Sequence, residues 1–245
     1  MPDYENQEPF IDAEFEDIVT NKAIIKIPDP RLFENVEPRC PCILLLDTSY
    51  SMNGQPIAEL SAAIKQFKED LMEDTLARKR VEVAVVTFGG SVQVVSEFQT
   101  AEDFQPPTLS VRGDTPMGEA IEKTIEILTI RKAQIRSQGV QLYRPWIVLI
   151  TDGAPTDSWQ TAAQLVRKGE ASKRFILFPI GVSGYNKQIL AEISVLEPVR
   201  LIDYSKFRQL FKWLSSSLAS VSNSQPGDAI HPVNPTMPGG WGVID

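Results

Sequence analysis

The sequence predicts an α/β fold with a doubly wound, mainly parallel sheet, one antiparallel edge strand and helices on both faces. Two short runs, 43–46 and 146–150, are continuously apolar, as strands buried on both faces are. Segments with helical spacing of apolar residues alternate with such runs, which favours crossover connections and a parallel sheet. Only three residues, 89–91, separate the strand-like runs 81–88 and 92–98, so these two are expected to form an antiparallel hairpin at one edge.

The helices are predicted from apolar residues that recur every three or four positions. The first of them buries one face, which carries Ile57, Leu60, Ile64, Phe67 and Leu71. The elements expected in chain order are a strand at 43–46, a helix at 56–77, strands at 81–88 and 92–98, a helix at 116–136, a strand at 146–150, a helix at 158–172, a strand at 175–182, a short helix at 186–194, a short strand at 199–202 and a helix at 206–221.

The composition divides the chain into an acidic N-terminal arm at 1–38, a folded domain at 39–221 and a flexible C-terminal tail at 222–245. The first seventeen residues carry seven acidic groups and no Lys or Arg, the reverse of a signal peptide, so an intracellular location is expected. One β-like run lies in the arm at 23–27. The tail is rich in Ser, Asn, Pro and Gly, and its apolar end either docks on a partner, folds back on the domain or stays inert.

Charge and cysteine content exclude several classes of function. The chain has 245 residues, a formal net charge of −8, and no apolar run of the length that a membrane span needs. An acidic surface disfavours nucleic acid but suits metal cations, basic partners or plain solubility. The two cysteines, Cys40 and Cys42, and the single histidine, His231, are too few for a four-ligand zinc site and argue against a Ser-His-Asp triad. Cys42 is expected to face the core.

Short oxygen-bearing side chains follow the predicted strands or open the predicted helices at three places. Asp47, Ser49 and Ser51 follow the first strand, Thr115 opens the second helix, and Asp152 follows the strand at 146–150. Because ligands of doubly wound sheets bind outside the carboxyl ends of the strands, these five side chains are expected to share one crevice. The alternative is that the same residues are helix caps and turn formers.

Carboxylates and hydroxyls are hard ligands that suit Mg²⁺, with Mn²⁺ or Ca²⁺ also possible. The neutral hydroxyls leave such an ion poorly neutralised, and a set of this size leaves at least one of about six coordination positions for water or an incoming ligand. The expected function is therefore binding of a partner's Asp or Glu through the metal, which needs no catalytic base. We expect the protein not to be an enzyme.

Parts of the sequence resemble a known family. Asp47-Thr48-Ser49-Tyr50-Ser51, Thr115 and Asp152 match the metal-ion-dependent adhesion site (MIDAS) of von Willebrand factor type A (VWA) domains, and the resemblance covers about residues 40–221. More narrowly, the segments 43–49, 104–109, 149–157 and 211–215 look like those of bacterial TerY-like proteins, which are VWA proteins encoded with tellurium-resistance or stress operons.

The resemblance implies a cytoplasmic Mg²⁺-binding protein that assembles complexes, with a PP2C-type phosphatase or a protein kinase as possible partners. It also implies roles for the site residues: Ser49, Ser51 and Thr115 as direct ligands, with Asp47 and Asp152 close by and one or both acting through water. Two positions depart from the family pattern, because Tyr50 and Asp114 stand where Gly is common. If position 50 needs a positive φ, the tyrosine is strained there; otherwise it flanks the metal and contacts the partner.

Two alternative functions stay open at this point. One is a regulatory subunit of a phosphorylation circuit, with phosphorylated Ser or Thr in either arm. The other is a metal-dependent hydrolase, which the lack of a poised histidine or acid–base pair disfavours. A nucleotide-binding loop of the Gly-x-x-x-x-Gly-Lys type is missing from the sequence, and Ser49 stands where a phosphoaspartate enzyme needs its acid–base carboxylate. Trp159 and Tyr185 are candidates for an aromatic rim of the site or for helix packing.

Overall fold

The computed structural model describes residues 29–228, 234–237 and 240–244. The predicted run at 23–27, the acidic stretch before it and His231 lie outside the described residues. The strands are β1 (Cys40–Asp47), β2 (Val81–Gly89), β3 (Ser91–Thr100), β4 (Trp146–Thr151), β5 (Ile176–Gly181), β6 (Val199–Leu201) and β7 (Gly242–Val243). The helices are α1 (Pro30–Glu34), α2 (Gln55–Glu73), α3 (Ala77–Arg80), α4 (Met117–Ser137), α5 (Gln160–Ala171), α6 (Lys187–Ile193) and α7 (Phe207–Ser222).

The described strands form one sheet in the order β3-β2-β1-β4-β5-β6-β7. The five neighbouring strands β2, β1, β4, β5 and β6 run parallel to one another. β3 pairs antiparallel with β2, as the hairpin prediction requires. The predicted fold class is therefore confirmed. A second antiparallel strand, β7, closes the other edge against β6 and was not expected from the sequence.

The apolar strands have a continuous pattern because they face two separate cores. On β1, Leu44 and Leu46 point to the core under α2 and α7, whereas Ile43 and Leu45 point to the core under α4, α5 and α6. Alternate side chains of a strand leave opposite faces of the sheet, so a strand covered on both sides needs apolar residues at every position. In the described part of the chain, no helix is both long and apolar enough to cross a bilayer.

The first predicted helix is interrupted near its end. The prediction continues it to residue 77, but α2 ends at Glu73 and the four-residue α3 begins at Ala77. The carboxylate of Asp74 accepts hydrogen bonds from the backbone N–H groups of Leu76 (2.9 Å) and Ala77 (2.8 Å). A short acidic side chain that binds nearby backbone N–H groups competes with the helical hydrogen bonds, which explains the break.

The two cysteines lie at the start of β1. Both are free thiols with no exposed surface, and Cys42 faces the core as predicted. Burial raises the pKa of the Cys40 thiol to about 12, and the nearby Glu82 carboxylate acts in the same direction. A thiol held neutral in this way is a poor nucleophile and a poor metal ligand, so the Cys-Pro-Cys motif has a packing role.

Residues 29–38, assigned to the arm from composition, are packed against the domain. Leu32 is buried against Ile135 and Val140. The carboxylate of Asp29 forms an ion pair with Nη1 of Arg131 on α4 at 2.7 Å. It forms a second ion pair with the guanidinium of Arg31. Although burial alone would raise it, these hydrogen bonds hold the pKa of Asp29 well below its usual range.

A buried ionic cluster lies next to this anchor, at the end of the sheet where β1 and β2 begin. Glu82, which is 1% exposed, accepts hydrogen bonds from Nε of Arg39 at 3.1 Å and from Nε of Arg131 at 2.8 Å. Arg39 is equally buried and also donates to the backbone carbonyls of Asn35 and Glu37. We name Arg39, Glu82 and Arg131 the ionic cluster. Each of its charges has an opposite partner, as burial of charge requires.

The end of the chain folds back on the domain. Trp241 is 3% exposed, and its ring meets that of Trp213 on α7 with centroids 5.4 Å apart in an edge-to-face arrangement. Its backbone carbonyl accepts a hydrogen bond from Ile202, and the next two residues form β7. Gly242 is needed there, because a Cβ at that position would lie 2.2 Å from Cγ1 of Val199. The expectation of an irregular tail is wrong at these residues, and self-docking is the alternative that the structure shows.

Replacing Trp241 with alanine tests this packing. We expect the free energy of unfolding to fall by about 2–4 kcal/mol. Loss of the buried ring destabilises the fold, and part of this cost is offset because the ring's Nε1 is buried without a hydrogen-bond partner among the described residues. Urea unfolding followed by circular dichroism measures the change. Ile244→Ala, at a half-exposed neighbour, is the matched control and should change stability by less than about 0.5 kcal/mol. Equal effects of the two substitutions would contradict the packed position of Trp241.

Candidate metal centre

The five predicted site residues lie at the carboxyl ends of β1 and β4 and at the start of α4. Asp47 ends β1, Asp152 follows β4 directly, and the two strands are parallel neighbours with Leu46 opposite Ile150. The chain leaves β1 towards β2 on one side, whereas β4 lies on the other side, so the crevice between them is the switch point of the sheet. Ligands of open α/β sheets bind at such points because neighbouring connections diverge there.

Asp47 is fully buried and held by two hydrogen bonds. Its Oδ1 accepts from the backbone N–H of Ser49 at 2.8 Å, and its Oδ2 accepts from Oγ1 of Thr151 at 2.6 Å. The first bond forms a tight turn directly after the strand, which brings Ser49 and Ser51 back over the sheet edge. Thr151 is a site residue that the sequence reasoning missed, since nothing in the sequence signals that its hydroxyl meets a carboxylate 104 positions away.

The two serines and Asp152 form a chain of hydrogen bonds. The hydroxyl oxygens of Ser49 and Ser51 lie 3.0 Å apart, and Oγ of Ser51 donates to Oδ1 of Asp152 at 2.7 Å. Three oxygen-bearing side chains from two separate loops therefore share one small volume. This arrangement confirms that the loop after β1 and the loop after β4 converge.

Thr115 is brought to the same edge but is not part of this hydrogen-bond chain. It is 6% exposed, its backbone is tied to Thr156 in both directions, and its Oγ1 lies against Gly153, where an added Cβ would approach it to 3.7 Å. Its side chain makes no hydrogen bond to the other four site side chains, all of which the structure describes. Thr115 therefore lies beside the loop that carries Asp152, and its hydroxyl has no hydrogen-bond partner among the described residues.

The helix-cap part of the alternative is wrong for these residues, whereas its turn-former part holds for Asp47, which accepts from the backbone N–H of Ser49. α4 begins after Pro116 without a cap from Thr115; its first N–H groups are bound by Asp157, which accepts from Gly118 at 3.0 Å and Glu119 at 2.8 Å. α2 begins after Gly54, where no side chain caps it. The side-chain oxygens at the sheet edge therefore cap neither α2 nor α4, and Asp157, on the same β4–α5 loop as Asp152, caps α4 instead.

The two carboxylates of the site are electrostatically unsatisfied. Burial raises the pKa of Asp47, the charge of Asp152 raises it further, and the hydrogen bonds from Ser49 and Thr151 oppose this. Burial likewise raises the pKa of Asp152 against the hydrogen bond from Ser51. A raised carboxyl pKa means that the ionised form is disfavoured by its surroundings, which a bound cation would reverse.

The chemistry of the donors decides which ion fits. The described residues contain no group of three or more His, Cys, Asp or Glu side chains able to hold a metal, so a soft or carboxylate-rich site is not formed there. What the loops offer is two carboxylates and three hydroxyls, all hard oxygen ligands. Such a set fits Mg²⁺, Mn²⁺ or Ca²⁺.

The two departures from the family pattern are accommodated differently. Tyr50 begins a short 3₁₀ turn, Tyr50–Met52, and is not among the residues with a positive φ, so the expected strain is not present. Its backbone N–H donates to the carbonyl of Gly113, and its side chain is 69% exposed beside the site. Asp114 is exposed, and its backbone carbonyl accepts from Gly90.

The aromatic candidates for a rim are engaged in packing. Trp159 and Tyr185 are half-buried and lie against the core under α4, α5 and α6. The ring of Tyr185 lies so close to Gly181 that a Cβ there would be 2.3 Å from it. Tyr50 is therefore the large exposed aromatic residue at the site.

The fold and this oxygen-lined switch point are those of an interaction domain of the von Willebrand type. A model of the von Willebrand factor type A domain family matches residues 42–212, so the chain belongs to this family. A comparison with curated proteins finds no match.

Solved structures share the fold at low sequence identity. A von Willebrand factor type A protein from Catenulispora acidiphila is 16% identical with a TM-score of 0.58, and the match covers 74% of this chain and 43% of that one. Proximal thread matrix protein 1 from the mussel byssus, in a form with a zinc-occupied MIDAS motif, is 20% identical with a TM-score of 0.51, and 76% and 49% are covered. The pilus adhesin SpaC from Lactobacillus rhamnosus GG is 11% identical with a TM-score of 0.58, and 74% and 30% are covered. The chain thus spans less than half the length of each.

Proposed function

We propose that this chain is a non-catalytic module that binds a protein partner through a divalent cation at the switch point. The observation that carries the proposal is the convergence of Ser49, Ser51 and Asp152 within hydrogen-bond distance beside the buried carboxylate of Asp47. Ser49, Ser51 and Thr115 would supply hydroxyl oxygens to the ion, with Asp47 and Asp152 supplying the negative charge directly or through water.

The cation would supply a positively charged acceptor with an open coordination position. The residues of the chain do the rest: Asp47 fixes the turn that presents both serines, and Thr151 fixes Asp47. Because three of the five side chains are neutral hydroxyls, and because five donors leave an ion that needs about six oxygens with an open position, the proposed ligand is an Asp or Glu side chain of the partner. The exposed ring of Tyr50 is placed to contact that partner.

The choice of ion is part of the proposal. The all-oxygen donor set favours Mg²⁺, with Mn²⁺ or Ca²⁺ as substitutes. The mussel protein is described with zinc in its MIDAS motif, so zinc belongs in the same titration. Calorimetry with each of the four ions would rank them, and the absence of Mg²⁺ and Mn²⁺ binding at millimolar concentrations would contradict the hard-ligand argument.

Metal-dependent capture tests the function directly. The immobilised full chain is expected to retain a partner from a lysate of its own host in Mg²⁺ and to release it in EDTA, because the partner's carboxylate is held through the ion. The released protein is then identified, purified and tested alone for metal-dependent binding. Asp114→Ala, which removes an exposed carboxylate next to the site, is the control and should leave capture intact. Binding of the purified partner that is undiminished by EDTA would contradict metal-mediated recognition.

A finer proposal follows from the four TerY-like segments. It places the protein in the cytoplasm, in a bacterial stress or tellurium-resistance complex, with a PP2C-type phosphatase or a protein kinase as partner. The likeness of these segments in sequence supports it. In the fold, segments 43–49 and 149–157 carry residues of the proposed site, and Phe211 and Leu214 of segment 211–215 are buried on α7. Identification of the protein that elutes with EDTA decides it.

A further inference from the structure

A polar groove adjoins the candidate metal centre on the side of the β2–β3 hairpin. Its cavity volume is about 220 Å³, and its lining includes Thr48, which stands between Asp47 and Ser49 in the metal-site loop. The groove is therefore continuous with the place where a metal-bound partner would lie. None of the five proposed metal ligands lines it.

The two deepest lining residues have hydroxyls without partners. Thr48 is 4% exposed and Thr87 is 7% exposed, yet neither hydroxyl forms a hydrogen bond with the described part of the chain. Neither oxygen is among the fully buried, unpaired side-chain atoms of the described residues, so both hydroxyls are open to the groove. Each can therefore donate to and accept from polar atoms of a ligand that lies there.

The walls of the groove are two extended segments. On β3, Ser91, Gln93 and Val95 are exposed, while the residues between them pack on the core. Opposite them runs the segment 108–112, in which Leu109 and Val111 pack on the other core and the residues between them are exposed. Both walls thus present every second side chain, at the roughly 7 Å repeat of extended chain. An extended peptide has the same repeat.

The charge of the groove selects the chemistry of that peptide. Arg112 is exposed, and its guanidinium forms no ion pair or hydrogen bond with the described residues. The lining contains no Asp or Glu, although the chain as a whole has a net charge of −8. One unpaired cation among hydroxyl and amide donors favours a carboxylate, because charge-assisted hydrogen bonds are the stronger ones.

We propose that this groove seats an extended acidic segment of the partner, with one carboxylate on the metal and a second acidic side chain on Arg112. The proposal rests on the proposed metal-dependent function and extends it, because it makes the ligand a peptide with two acidic residues. Thr48 and Thr87 bind polar atoms of that segment, and Arg112 sets the preference for a second negative charge.

The test uses the isotope-labelled full chain and two synthetic peptides, acetyl-Glu-Ala-Glu-amide and acetyl-Glu-Ala-Gln-amide, titrated by NMR in Mg²⁺ and in EDTA. In Mg²⁺ we expect the peptide with two acids to bind about three- to tenfold more tightly, as one partly exposed ion pair allows. In EDTA, weak binding of the same peptide should still shift the backbone amides of Gly89, Gly90 and Arg112.

Three variants make the assignment specific. Arg112→Gln should abolish the preference for the second acid, and Thr87→Val, which removes an unpaired hydroxyl at constant shape, should weaken both peptides. Arg208→Gln, at an exposed arginine of α7, is the matched control and should keep the wild-type preference. If Mg²⁺ binds but the wild type shows no preference, or if Arg112→Gln retains it, the groove proposal is overturned and the metal function stands. If Mg²⁺ does not bind, the metal function fails. The NMR shifts of the groove amides in EDTA then decide separately whether the acidic peptide binds the groove: shifts support binding there, and their absence overturns it.

Discussion

Replacing Asp47 with alanine is expected to lower Mg²⁺ affinity by about 100-fold or more, the upper range for loss of a group that orients metal ligands. The substitution removes half of the negative charge of the site and the acceptor that holds the turn of Ser49. The measurement is calorimetric titration of the purified full chain with MgCl₂. Asp114→Ala, at the exposed neighbouring carboxylate, is the control and should bind the ion like the wild type.

The fold should survive this substitution. Ser49 N–H and the Thr151 hydroxyl lose their acceptor, which costs about 1–3 kcal/mol, but a buried carboxylate whose pKa is raised by burial is removed at the same time. Circular dichroism and urea unfolding in EDTA separate loss of metal from loss of structure. Wild-type Mg²⁺ affinity in a folded Asp47→Ala protein would exclude Asp47 from the metal centre.

Replacing Glu82 with glutamine should reduce the free energy of unfolding by about 3–5 kcal/mol, as removal of one partner from a buried ion pair does. Glu82 is the single acceptor between Arg39 and Arg131 in the ionic cluster, and all three are at most 5% exposed. Neutralising it leaves two guanidinium groups buried next to each other, and among the remaining acceptors, which are the new amide oxygen, Asp29, Gln134 and backbone carbonyls, only Asp29 is charged.

Urea unfolding measures this effect, and β3 provides the control. Glu97→Gln changes the same residue type on a neighbouring strand, but its side chain is exposed, so stability should change by less than about 0.5 kcal/mol. A difference of under 1 kcal/mol between the two variants would show that solvent or rearrangement satisfies the arginines, and the ionic cluster would then not stabilise the fold.

The sheet could be predicted from sequence because each central strand carries its own signal. The apolar runs of β1 and β4 and the short glycine-containing turn between β2 and β3 are local features, and the observed pairings follow from them. β7 and the ionic cluster could not be predicted. β7 has only two residues and depends on the packing of Trp241. Glu82 lies within an apolar run, and its charged partners are more than forty positions away in the sequence.

The site followed the same division. Asp47, Ser49, Ser51 and Asp152 could be proposed because they follow buried strands whose carboxyl ends must share one edge. Thr151 and Asp157 act across long sequence separations, on Asp47 and on the first turn of α4, and no spacing rule signals either contact. The groove was missed for a similar reason, since the residues of its two walls look like ordinary polar loop and strand residues until the fold sets them opposite each other.

The anchoring of Asp29 has a consequence for how the molecule is arranged in an assembly. Arg131, which holds it, lies fourteen residues after Met117 on α4, about 20 Å along the helix axis from the metal-site end. The chain that precedes residue 29 therefore joins the domain well away from the candidate metal centre. A partner bound at the proposed metal and a contact made near residue 29 would use separate parts of the domain surface.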